Sequence, residues 1–471
     1  MYSPTLSIYD DLKNGDYQAP SIYLAALKNL IANPDVETVR QRLQKVLQRA
    51  DIAEIVLVEQ NEDDDGIRIV LRAEDDDDAE DDEPTFFLFE IKFINDFDAD
   101  EWSYESAEYR NRNLLEDERV EMHQTPQLIE CTTYFNPHWG LTHWLVQLAV
   151  LDAVGGECYA IQDLVASTFL SGTWLAEMAE TQTPPSLECA YVIHAITPDD
   201  PENSTYWLHT HGLLKFGLPE LEMLCVKQSQ LSACQGILTT TAARLFAEPE
   251  AWYQDETMLI AHNEQGDIAV HLLAWQDTLQ HDLFAAKKAG LFGLFAAKKD
   301  EGFSGDLSER TEGDIHTEPS MVILPDVDGK MAHWADLTEI LNEDNHMMLL
   351  LPNMETARMY YLAAEKLPAF TRCFQRFAPE EGVWGYMMKI ACTSPSTETT
   401  EHMWFVVQDL DDKNVTAELA NQPFEIPELQ AGESYTLPLD DVTDWCIYSS
   451  PLQMRIAPDD VYRLKRYLQA N

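Results

Sequence analysis

A chain of 471 residues with 83 acidic against 31 basic side chains carries a formal charge of −52, a field that repels phosphate backbones and anionic headgroups and so argues against nucleic-acid and broad membrane-surface binding. A hydrophobic fraction of 45% still supplies more than one core, and the length points to about three domains. No apolar run reaches the length of a membrane span, the opening Met1-Tyr-Ser-Pro-Thr lacks a basic stretch followed by an apolar one, and eight scattered cysteines form no Cys-x-x-Cys pair. The expectation is a cytoplasmic protein with reduced thiols and no stable membrane insertion.

In chain order, Leu24, Leu27, Leu30 and Ile31, then Val39, Leu43, Val46 and Leu47, recur at helical spacing on either side of Asn33-Pro34-Asp35, which predicts a helical hairpin. Short strands follow at 55–58, 67–71 and 85–94. Between them lie Glu62-Asp-Asp-Asp65 and the stretch 74–83, nine of whose ten residues are acidic, read as solvated tips or as a lure for a basic partner. Residues 107–121 form a charged surface helix or linker. From Thr142 to Val154 an apolar helix runs up to Gly155-Gly156, a helix stop. Residues 190–197 and 204–211 read as paired strands, 219–224 as helix or strand, 231–246 as a helix and 257–275 as a hairpin.

Next, Leu283-Phe-Ala-Ala-Lys-Lys288 recurs as Leu294-Phe-Ala-Ala-Lys-Lys299, eleven residues on and so on the same side of a helix. With the polar stretch 300–318 it reads as a linker, or as a helix that meets a partner or a membrane surface. Beyond it, strands at 321–324 and 347–351, a helix over 354–377, five short strands and a last helix over 458–468 complete an α+β, multi-domain layout. Antiparallel sheets are flanked by helices, and a flexible linker joins the two main parts. The expected limits are 1–120 for an N-terminal α+β region, 121–280 for a second α+β domain, 281–318 for the linker and 319–471 for the C-terminal α+β domain.

The densest chemistry sits in Trp207-Leu-His-Thr-His211-Gly and Glu220-Leu-Glu222. On a strand the side-chain period is two, so His209 and His211 share a face, as do Glu220 and Glu222. Two imidazoles and a carboxylate can hold a divalent transition metal with one position open to water, and His209, His211 and Glu222 are the candidate ligands. Asp152, Asp163 or His194 could join them. The alternative is a polar hairpin in which the histidines bond backbone or the glutamates. A second candidate cleft combines His402, Trp404, Asp444 and Trp445. No nucleotide-binding glycine loop or Gly-x-Ser-x-Gly elbow occurs.

Glu401-His402-Met-Trp404, Glu418-Leu-Ala-Asn421-Gln-Pro423, Ala431-Gly432-Glu and Asp441-Val-Thr-Asp444-Trp445, in that order, resemble the bacterial family known as domain of unknown function 2314, over roughly residues 350–450. Upstream, Trp207, His209-Thr-His211-Gly212, Phe216-Gly217 and Glu220-Leu-Glu222 resemble domain of unknown function 4026. The resemblance implies a bacterial two-part protein and carries no activity with it. Past Trp445 the family's glycine-rich turn is replaced by Ser449-Ser-Pro-Leu-Gln-Met454.

Two functions from different classes follow. The first is a non-catalytic binding module that captures a basic protein, as an immunity protein captures a basic toxin, because complementary charge accelerates association. The second is a metal-dependent hydrolase built on His209, His211 and Glu222. The sequence leaves the oligomeric state open.

Overall fold

Along Ile67–Ala73 every second residue is buried and those between are half-exposed, the signature of a strand with one face on a core. The computed structural model describes residues 7–31, 35–60, 66–74, 84–136, 139–196, 205–254, 256–263, 266–278, 281, 283, 310, 315–337, 341, 347–377, 379–380 and 382–470. These divide into two units, one of residues 1–172 with 187–352 and the other of 173–186 with 353–471. Three sheets, mostly antiparallel, and their helices make the fold α+β.

The first unit contains two sheets. One comprises β1 (Ser21–Leu27), β2 (Ile52–Gln60), β3 (Ile67–Ala73), β4 (Phe86–Ile94), β5 (Leu128–Thr133), β6 (Cys158–Asp163) and β7 (Thr168–Ser171), in the order β2-β3-β4-β5-β1-β6-β7. The spacing that predicts a helix over 24–31 is instead that of β1. Leu27 and its neighbours are buried on both faces of an inner strand, and an apolar run of that kind has no period that separates strand from helix. The second half of the predicted hairpin is helical over Val36–Arg42, where Asp35 caps the helix by accepting the Thr38 N–H at 2.7 Å. Helix Gly140–Gly155 is buried on nearly all sides, and Gly156 ends it at φ +73. Its one buried amide, Gln147, bonds Ser21 and Cys131 and so ties the helix to β1 and β5.

The second sheet holds β8 (Val192–Ile196), β9 (Thr205–His211), β10 (Glu220–Lys227), β11 (Met258–Asn263), β12 (Gly266–Ala274), β13 (Ser320–Val327), β14 (Lys330–Met331) and β15 (Met348–Leu349). Its order is β15-β11-β12-β13-β10-β9-β8, with β14 paired to β13, and only β10 and β13 run parallel among these pairs. Thus 320–327, which the sequence places at the head of the C-terminal domain, is an inner strand of this sheet. The acidic segments 62–65 and 75–83 and the repeat from 284 to 299 lie outside the described residues.

Lys215, in the turn between β9 and β10, pairs with Asp163 at the end of β6, and neither side chain is exposed. Beside it Phe216 packs on Phe135, Trp144 and Phe246. This anchors the β9–β10 turn to the first sheet and gives the strand ends a rigid base.

In the second unit β16 (Trp384–Thr393), β17 (Thr400–Leu410), β18 (Asn414–Leu419), β19 (Ser434–Pro438), β20 (Val442–Ser449) and β21 (Met454–Ile456) form an antiparallel sheet ordered β19-β18-β17-β16-β20-β21. Helices Asn353–Arg376 and Val461–Ala470 cover one face through Phe370, Cys373, Leu464 and Leu468. Segment 173–186 is fastened here by Glu177, which pairs with Lys366 at 2.9 Å and Lys465 at 2.7 Å. None of the eight cysteines forms a disulfide, and six are buried. Among the described residues no helix is long and apolar enough to cross a membrane, which says nothing of β-barrels.

Candidate functional site

Strand β9 presents Trp207, His209 and His211 on one face, as its period of two requires. Across the antiparallel ladders His194 on β8 and Glu222 on β10 both stand opposite His209, so the three make one row across the sheet. A fourth histidine, His316, comes from the 3-10 turn Ile315–Thr317 just ahead of β13. His209, His211 and His316 each offer a nitrogen, and these atoms all lie within 4.8 Å of one another. The ring centroids of His209 stand 4.9 Å from those of both His211 and His316, and His211 and His316 are 5.3 Å apart. His194 stacks on His209 at 5.5 Å, and Trp207 stacks on His209 at 4.0 Å.

His209 is buried, at 3% exposure, and its Nδ1 has no hydrogen-bond partner. An unpaired buried polar atom is costly, of order 1–3 kcal/mol, and calls for an explanation. Burial, with the charges of His211, His316, His194 and Arg310 after it, pushes the His209 imidazole down to about 2, so it is neutral near pH 7 with the lone pair of one ring nitrogen available. His194 is likewise lowered, chiefly by burial. His211 and His316 are half-buried, so the cluster is closed behind His209 and reaches solvent in front.

The two glutamates are occupied elsewhere. Glu220 accepts the Thr210 hydroxyl at 2.6 Å and the N–H groups of Gly212 and Leu213 at 2.7 and 2.9 Å, so it braces the turn that follows His211. Burial raises its carboxyl to about 7 despite these donors. Gly212 is needed in that turn: at φ +120, a Cβ there would sit 2.8 Å from the Ala190 carbonyl oxygen. Glu222 receives Arg310 in a bidentate pair at 2.9 and 2.6 Å, the Trp207 indole N–H at 2.8 Å and the Ser320 hydroxyl. Both its oxygens are therefore engaged, and the third group beside the His-x-His pair is His316.

Arg310 and His316 fall in the span that the sequence marks as linker. A signal was present: Arg310 is the one basic residue, and His316 the one histidine, between 300 and 318. Of the other proposed partners, Asp152 pairs with Lys45 at 2.6 Å and Asp163 with Lys215, away from the histidines.

The second candidate cleft divides between two faces of its sheet. Trp404 and Asp444 flank Lys389 in register, and Arg455 lies 5.9 Å from the Trp404 ring, while His402 bonds Thr443 at 3.2 Å. Trp445 points the other way, fully buried, with its indole N–H on the Ala363 carbonyl at 3.0 Å.

Comparison with known proteins finds two families along the chain, the first of them in two parts. Residues 27–185 match the protein of unknown function (DUF4026) N-terminal, residues 193–324 the protein of unknown function (DUF4026) C-terminal, and residues 354–453 the uncharacterized protein conserved in bacteria (DUF2314). No curated protein and no solved structure matches the chain.

Proposed function

The chain belongs to the DUF4026 family, whose two halves span more than half its length, and carries a DUF2314 domain behind them; from that premise we propose that it is a metal-dependent protein with a three-imidazole centre of the hydrolytic type. The observation that carries this is the convergence of His209, His211 and His316, from two separate segments, with their nitrogens within 4.8 Å. Three ligands on a tetrahedral zinc ion at about 2.0–2.1 Å stand about 3.3 Å apart, so a small rotation of the rings would close the site on an ion. Imidazole-only ligation suits zinc, copper(II) or nickel. His209, His211 and His316 would hold such an ion with one position left open, and the chemistry a zinc ion so held would supply is hydrolysis at a carbonyl or phosphoryl centre.

The test is metal content. Purified full-length protein reconstituted with zinc should carry close to one ion per chain, with loss in His209→Ala, His211→Ala and His316→Ala and retention in His262→Ala on an exposed strand position. Protein that stays metal-free, with a thermal transition unmoved by saturating zinc, nickel or copper(II), removes the reading, because a ligand that binds the native state must stabilise it.

A second reading rests on charge. The excess of 83 acidic over 31 basic residues supports capture of a basic protein, the behaviour of an immunity protein toward a basic toxin. A pull-down from the host at low and high salt should recover a basic protein at low salt only. Recovery indifferent to salt, or to deletion of residues 74–83, counts against it.

A further inference from the structure

We infer that Arg310 is the positioning residue of the three-imidazole site, holding His316 where it can act with His209 and His211. The inference rests on the metal reading proposed above and says how its third ligand is recruited. His209 and His211 need no such device, since one strand sets their spacing. His316 lies on a three-residue turn, and Arg310 Nη1 donates to its carbonyl oxygen at 2.8 Å.

Both terminal nitrogens of the same guanidinium are engaged, while its buried Nε has no hydrogen-bond partner. Nη1 and Nη2 meet the two oxygens of Glu222, and its Cζ lies over the rings of Trp207 and Trp275, at 5.0 and 4.8 Å from their centroids. Trp207 is also the ring that stacks on His209 and touches His316 at 4.9 Å. One side chain thus joins the carboxylate opposite His209, the aromatic wall of the site and the backbone of the third ligand. Arg310 and Glu222 are 4% and 3% exposed, so the pair is a buried receptacle and not a surface ion pair. Only a planar fork can reach both oxygens and the carbonyl together, which a lysine cannot.

Full-length protein titrated with cobalt(II), whose visible bands report coordination, tests this with a metal-free arm beside it. Wild type should bind one cobalt(II) with tetrahedral-type bands. Arg310→Met should weaken binding about 10- to 100-fold, the usual loss for a group that orients a ligand. Its bands should take the form seen in His316→Ala, and combining the two changes should add no further loss. Arg310→Lys should follow Arg310→Met, and Glu222→Gln gives a second route to the same outcome if Arg310→Met folds poorly. In metal-free protein, carbethoxylation read by peptide mass spectrometry should rise at His316 in Arg310→Met and not at His209. Wild-type cobalt affinity and bands in folded Arg310→Met, additive losses in the double variant, or unchanged His316 labelling each overturn the inference. If wild type binds no cobalt(II), the metal reading fails, while the labelling arm still decides whether Arg310 places His316.

Discussion

Glu222 stands directly opposite His209 across the β9–β10 ladder, yet the two side chains serve different ends. The carboxylate is turned to Arg310, Trp207 and Ser320, whereas the imidazole meets His211 and His316. The histidine and carboxylate that the sequence offers side by side therefore part, the imidazole to the histidine cluster and the carboxylate to an anchor. Ser320, which donates to Glu222, is in turn held by Tyr9, whose hydroxyl donates to the Ser320 carbonyl at 2.8 Å. The anchor is thus linked to the helix Ser7–Asn14.

Removing the anchor should be expensive. Glu222→Ala strands a buried guanidinium and leaves the Trp207 and Ser320 donors without an acceptor, and breaking a buried pair of this kind costs about 3–5 kcal/mol. Urea unfolding of wild type and variant measures it. A loss below about 1 kcal/mol would mean that the Arg310 charge finds water instead.

The turn after His211 should tolerate no side chain. Gly212→Ala places a Cβ against the Ala190 carbonyl in a left-handed region of backbone space, and about 1–3 kcal/mol of strain is expected. Gly217, also at positive φ but with open space at its Cβ position, should show the smaller loss of the two when changed to alanine. Thermal unfolding of both variants gives the comparison.

Stability should fall on the acid side through His143. Its Nδ1 accepts the Asn136 N–H at 3.1 Å, so the proton sits on Nε2 and is donated to Thr133 Oγ1 at 3.0 Å, while the Thr133 hydroxyl itself donates to the Leu88 carbonyl. Burial lowers this imidazole from 6.5 to about 3. A depressed histidine lends stability above its unfolded value, and loses it as pH drops from 6.5 toward 3, by about 1.4 kcal/mol per pH unit. The difference in unfolding free energy between wild type and His143→Gln should accordingly narrow between pH 7 and pH 4. A constant difference over that range contradicts the assignment.

Two tryptophans in the second unit should part company. Trp445→Ala opens a cavity in the core against Phe370 and should cost about 3–5 kcal/mol. Trp404→Ala, on the opposite face with Arg455 nearby, should stay within about 1 kcal/mol. Unfolding of the two variants by urea distinguishes them.

Much of the architecture is legible locally. The helices over Gly140–Gly155, Leu231–Ala247 and Asn353–Arg376, the β11–β12 hairpin and strands β16 to β20 of the second unit's sheet follow from period, turn residues and caps, because those signals act between near neighbours, whereas β21 is not among the strands the sequence predicts. The strand β1 does not, since an inner strand buried on both sides loses the alternation that would mark it.

The candidate site divides along the same line. The sequence by itself determined that His209 and His211 share a face, since strand geometry requires nothing more than their spacing. Only the tertiary structure decided that their companion is His316, that Glu222 answers to Arg310 and that Glu220 braces a turn. The Glu220 contact is local, but the first two come with a parallel pairing of β10 with β13, which brings residues about a hundred positions apart together, and no local pattern encodes so distant a meeting.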